Sequence, residues 1–227
     1  MTKENSKNSG PEPLPEAVGR LSEFVRTHRE KVAMAGTVVV LFIALMIGLG
    51  HYGRLKDASG AAQLQESRLE FENDVAKDGR DVALTRCLAK APERLAEAKG
   101  SSSFGTSLMW YGGLALEKRD YEDAAVWFHE ASGVLGDTAL CNMAWCSEGL
   151  ALEGLQRWDE ALSVYDKIRG SGSKVRYVEA TFLGARILEK QGNKGGALAL
   201  FNEVAGDPAG SIYKAVAVEK ASFLSEP

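Results

Sequence analysis

The chain has 227 residues, 45% of them hydrophobic and 26% charged, which is ordinary usage for a folded protein with room for one domain and a smaller segment. A formal net charge of -4 and a pI near 5.6 leave no basic surface of the size that a phosphate backbone demands, so nucleic acid is set aside as a partner. Only six prolines against many alanines, with strand signals scarce throughout, point to an all-α protein.

Residues 1–19 (MTKENSKNSGPEPLPEAVG) are polar, carry three prolines and show no apolar period, the composition of a disordered tail. Residues 20–31 form a basic juxtamembrane segment. Leu21, Phe24, Val25 and His28 recur there at helical spacing, so it reads either as a short amphipathic helix or as a solvated lead. From Val32 to Tyr52 (VAMAGTVVVLFIALMIGLGHY) there is no Asp, Glu, Lys or Arg. At about 1.5 Å rise per residue such a helix covers the roughly 30 Å hydrocarbon core of a bilayer, so a transmembrane helix is predicted. A cleaved signal peptide is the competing reading. Its apolar region runs only about 7–15 residues behind a short basic start, whereas here the polar lead is 31 residues long, which favours an uncleaved signal anchor. Arg20, Arg26, Arg29 and Lys31 precede the span and Arg54, Lys56 and Arg68 follow it, a narrow bias towards a cytoplasmic N-terminus. Residues 53–227 would then lie in the periplasm of a bacterium.

Beyond the span, Ala61 to Lys77 carries Leu64, Leu69, Phe71 and Val75 among charges and is read as a helix stopped by Asp78-Gly79. A second helix is predicted from about Asp81 to Lys90, with Val82, Leu84, Cys87 and Leu88 inward. After the loop 100-GSSSFG-105 the chain becomes self-similar. DYEDAAVWFHEA (120–131), WDEALSVYDKI (158–168) and KGGALALFNEV (194–204) each hold an alanine, an aromatic four residues on, and a small or apolar residue three further. The triplets are Ala124/Phe128/Ala131, Ala161/Tyr165/Ile168 and Ala197/Phe201/Val204, and the leading alanines stand 37 and 36 residues apart. That spacing is close to the 34-residue tetratricopeptide period, and the 4 + 3 pattern lays each triplet on one helical face.

The helix preceding each triplet fits the same template. Its small residue falls on Gly112, Gly149 and Ala185, where two helices must approach closely, and its large packing position falls on Leu108, Trp145 and Thr181. Gly192 opens the inter-helix turn of the third repeat, where the first has Arg119 and the second Arg157 before Trp158. Repeats at about 105–136, 142–173 and 178–209, closed by a capping helix over 211–224, make a helical-hairpin solenoid.

No catalytic pattern appears: there is no G-x-S-x-G, H-E-x-x-H, P-loop or C-x-x-C. His129 has no carboxylate three or four residues away to orient it and reads as a surface histidine. The glycines of 169-RGSGSK-174 lack Walker spacing and read as a linker. Cys141 and Cys146 point about 140° apart on a helix and, with Cys87, read as small buried apolar residues. Three histidines in all argue against a metal site. No cofactor, metal, catalytic residue or small-molecule substrate is predicted. First helices of successive repeats line a concave groove, whose template positions are Thr106, Met109, Gly113, Met143, Cys146, Leu150, Glu179, Phe182 and Arg186. Met109, Met143, Leu150, Phe182 and Arg186 are the candidate partner contacts, an adaptable and mostly apolar lining suited to a hydrophobic or helical segment. The chain's own helix 61–77 could fill part of the same groove.

The layout LSEFVRTHREKVAMAGTVVVLFIALMIGLGHY, then AAQLQESRLEFENDVAKDG, then repeats ending in EKQGNKGGALALFNEV, resembles the YfgM family of bacterial inner-membrane proteins. The likeness runs from about residue 21 to 224. It implies an N-in, periplasm-facing accessory subunit of the SecYEG translocon that works beside a membrane-anchored chaperone of the PpiD type, with no catalytic residues. The Pro-containing tail and the three cysteines depart from that pattern. A membrane-tethered scaffold in envelope assembly or cell division would share the fold and differ in partner.

Overall fold

A computed structural model describes residues 26–136, 139–208 and 210–226, with no side-chain detail at positions 32, 35 and 36. The predicted tail and the start of the basic segment lie outside the described residues. Those that are described form helices α1 (Arg29–Asp78), α2 (Arg80–Ala98), α3 (Phe104–Lys118), α4 (Tyr121–Leu135), α5 (Ala139–Gly154), α6 (Trp158–Gly170), α7 (Tyr177–Lys190), α8 (Lys194–Ala205) and α9 (Lys214–Ser225), with no strand among them. The chain divides after Arg54 into two compact units.

In the first unit every large apolar side chain from Val38 to Leu49 is at least half exposed. Thr37–Asp78 is the one stretch among the described residues long and apolar enough to qualify as a membrane span by length and composition. The sequence reading separated this apolar run from a second helix at 61–77, but α1 is continuous from Arg29 to Asp78. The intervening GRLKDASG contains no proline, and its leucine, lysine and alanine propagate a helix through the two glycines.

The second unit begins with the remainder of α1 and α2, which run antiparallel. Gln63 bonds Glu97, Arg94 meets Glu66, Lys90 meets Glu70 and Arg86 meets both Asp74 (3.2 Å) and Asp78 (2.5 Å), so partners fall along α2 as they rise along α1. Exposed pairs of this kind contribute little each, about 0–1 kcal/mol, and act mainly to fix the register. Burial of Phe71, Ala83, Leu84 and Leu88 supplies the cohesion. Helix α2 also runs eight residues past the predicted stop at Lys90, with Pro92 inside it. Proline removes one backbone donor there, yet Ala91, Leu95 and Ala98 bury on the same face and carry the helix onward.

From α2 to α9 each helix packs on the next, giving three stacked hairpins (α3/α4, α5/α6, α7/α8) and a closing helix. Ala124, Phe128, Ala131, Ala161, Tyr165, Ile168, Ala197, Phe201 and Val204 are each at most 2% exposed. Phe128 faces Gly112, and Tyr165 faces Gly149 so closely that a β-carbon there would overlap its ring. The third hairpin has Ala185, fully buried, at the same place. Thr181, the odd residue at a large packing position, is 1% exposed and satisfies its hydroxyl by donating to the Tyr177 carbonyl at 2.8 Å.

The three hairpin turns share one backbone geometry. Asp120, Arg157 and Asn193 donate their N–H to the carbonyls of Ala115, Leu152 and Leu188 at 2.8–2.9 Å, which satisfies helix carbonyls left without partners. The residue before each donor is left-handed: Arg119 (φ 66), Gln156 (φ 60) and Gly192 (φ 79). The glycine equivalent of the second turn is thus Gln156, one residue before Arg157. A non-glycine residue in that region costs roughly 1 kcal/mol. Replacing Arg119 by Gly should therefore raise stability by up to about 1 kcal/mol, and Gly192→Ala should lower it by a similar amount. Denaturant midpoints of the two variants check both signs.

Candidate partner-binding groove

The first helices α3, α5 and α7 present the template groove positions. Thr106, Met109, Met143, Leu150 and Glu179 are half-buried, while Gly113 is exposed and a β-carbon there would meet nothing within 4 Å. Cys146 is 2% exposed and belongs to the core; burial, with Glu179 nearby, pushes its thiol up to about 12, so it offers no nucleophile. Cys87 behaves alike, raised to about 11 chiefly by burial. Cys141 is buried and donates to the Ser132 carbonyl at 3.5 Å.

Phe182, one of the predicted groove positions, is largely covered. At 8% exposure, it lies 5.8 Å from the Phe201 ring and 4.9 Å from Tyr213, so the closing segment covers it. It forms the floor of a cavity of about 560 Å³ whose sides are Arg186, Glu189, Lys190, Val216 and Lys220. The closing helix α9 thereby extends the groove, contributing Val216, which sequence reasoning missed because it assigned α9 a covering role only.

Charges along this surface are separately paired. Arg186 lies 4.0 Å from Glu153, Glu189 accepts from Lys220 at 2.8 Å, and Arg176 meets Glu179. Lys190 sits 3.6 Å over the Trp158 ring. Glu153 also accepts from the Tyr165 hydroxyl at 2.7 Å, and burial together with that carboxylate drives the phenol upward. Glu179, Arg186 and Glu189 thus do not converge on one reacting point, and among the described residues no group of three metal-ligating side chains forms.

The helix 61–77 meets the repeats at their leading edge. Phe71 packs edge-on against Trp110 at 6.1 Å, Arg68 lies 5.9 Å over the same indole, and Tyr111 closes a small cavity with Ser67, Glu70 and Phe71. Helix α2 packs on α3 at this edge, and α1 reaches α3 through Phe71.

His129 has a partner the sequence reading did not find. No carboxylate stands one turn away on its own helix; the partner comes from α5, where Glu148 Oε1 is 2.9 Å from His129 Nδ1. A signal was present, since Glu148 immediately precedes the close-approach glycine, in a register that must face the neighbouring hairpin.

Stacked helical hairpins with buried Ala/aromatic/apolar triplets define a helical repeat architecture. Residues 146–211, from the middle of α5 past the end of α8, match a tetratricopeptide repeat family model. The match takes in the second hairpin in part and the third whole, so tetratricopeptide repeat sequence is present in this chain. No curated protein matches it at a significant level.

Proposed function

We propose that this chain is a single-span inner-membrane protein whose tetratricopeptide repeats bind protein partners on the periplasmic side, as an accessory of the SecYEG translocon acting beside a PpiD-type chaperone. Repeats of this class commonly serve protein recognition, and the half-buried Met109, Met143 and Leu150 with the floor at Phe182 give an adaptable apolar lining. The observation that carries the membrane half of the reading is the apolar run from Val38 to Leu49. It is hydrophobic all round and uncovered, a surface far larger than a soluble monomer leaves in water. The translocon assignment rests on the resemblance to the YfgM layout.

The test is proteolysis of intact spheroplasts, with alkaline carbonate extraction of the same membranes. Retention in the carbonate pellet with digestion of residues 60–227 from outside supports the reading. Release by carbonate removes the anchor, and protection until the membrane is broken reverses the topology and leaves a cytoplasmic scaffold.

A further inference from the structure

Glu148 is the one carboxylate in a register that its sibling repeats fill with Tyr111 and Gly184. It is 6% exposed. One oxygen meets His129, and the other, Oε2, is buried with no hydrogen-bond partner. Burying a carboxylate is costly, and leaving half of it unsatisfied is costlier still, so a donor from elsewhere is called for.

Glu148 lines a cavity of about 520 Å³ between α4, α5 and α6, with an apolar floor of Ala125, Val126, Leu152 and Val164. The bordering charges are largely occupied: Arg157 holds Glu160 through two bonds of 2.6 Å, and Lys99 stands 3.8 Å from Glu130. Lys167 completes the rim. The His129 side chain is 70% exposed, so it can swing out of the cavity without disturbing the core.

We propose that this cavity, on the surface formed by the second helices α4 and α6, is a docking site for an arginine side chain of a polypeptide partner, with the guanidinium on both oxygens of Glu148 in place of His129. A planar guanidinium presents two parallel N–H groups at the spacing of a carboxylate, which matches one oxygen held by a replaceable imidazole and one with no donor. The methylene stem then lies along Val126, which is 61% exposed, and Val164. This surface is separate from the groove of α3, α5 and α7, so its test stands whether or not the translocon reading does.

The test uses the full-length protein in non-ionic detergent micelles and the blocked tripeptide acetyl-Leu-Arg-Leu-amide, read by NMR of the His129 imidazole and the Val126 and Val164 methyls. Expected is a saturable shift of all three signals, with affinity about tenfold or more lower for Glu148→Gln, the usual effect of losing a charged hydrogen-bond partner. His129→Ala should bind as well or better, because the imidazole no longer has to leave. It also keeps the test decisive if the glutamine variant does not fold. No saturable shift, unchanged affinity in Glu148→Gln, or weakened binding in His129→Ala would overturn the proposal. Equal affinity for n-butylguanidinium would overturn the polypeptide part and leave a site for small cations only. Equal affinity for the lysine tripeptide would overturn the arginine assignment.

Discussion

Replacing Phe128 by alanine is expected to lower the unfolding free energy by about 3–5 kcal/mol, the cost of removing a buried aromatic ring from a packed core. The ring is 2% exposed and fills the space where α4 crosses α3, its edge atoms 3.0–3.2 Å from where a β-carbon on Gly112 would stand. No side chain exists at Gly112 to collapse into the void, so relaxation recovers little of the loss. For a protein of this size the melting temperature should fall by on the order of 10 °C. In a stack where each hairpin is held by its neighbours, the loss at α3/α4 should also loosen the hairpins on either side. A melting curve like that of the parent protein would show that the face carrying Ala124, Phe128 and Ala131 is not core.

Gly149→Ala should cost about 1–3 kcal/mol by overpacking, and more than Gly112→Ala. The added β-carbon at 149 would overlap the Tyr165 ring, whereas at 112 it meets Phe128 at 3.0 Å, a contact that a small shift relieves. Tyr165 cannot step aside, because it is fully buried and its hydroxyl is tied to Glu153 at 2.7 Å. Pairing Gly149→Ala with Tyr165→Leu should therefore cost less than the two single changes added together, the signature of residues in direct contact. Strict additivity in a double-mutant cycle would contradict the close approach of α5 and α6.

The repeat core was legible in the sequence because it follows from short-range periodicity. An alanine, an aromatic four residues on and an apolar residue three beyond share one helical face, and the nine side chains chosen by that spacing are all nearly inaccessible. Turn geometry was less legible, since a left-handed position is signalled by glycine at 192 but filled by arginine at 119 and glutamine at 156. Helix ends were misread where the helix runs through a local breaker: Pro92 lies inside α2, carried by the burial of Ala91, Leu95 and Ala98, and the glycines at 53 and 60 lie inside α1, carried by the helix formers between them. The site was harder to see than the fold. Phe182 becomes a floor because Tyr213 covers it, and His129 finds Glu148 across a helix boundary, contacts that depend on how hairpins stack and leave no mark in a single helix's periodicity.

Whether the face of α3, α5 and α7 holds a protein partner at the membrane can be read by photocrosslinking in cells. The photoreactive residue would replace Met143, with Asp166 on the exposed side of α6 as the control position. The expected result is a discrete adduct from 143 containing a SecYEG subunit or a periplasmic chaperone, and none of comparable yield from 166. Adducts only with cell-division or outer-membrane assembly proteins would contradict the translocon assignment, and equal or absent crosslinking from the two positions would contradict the groove itself.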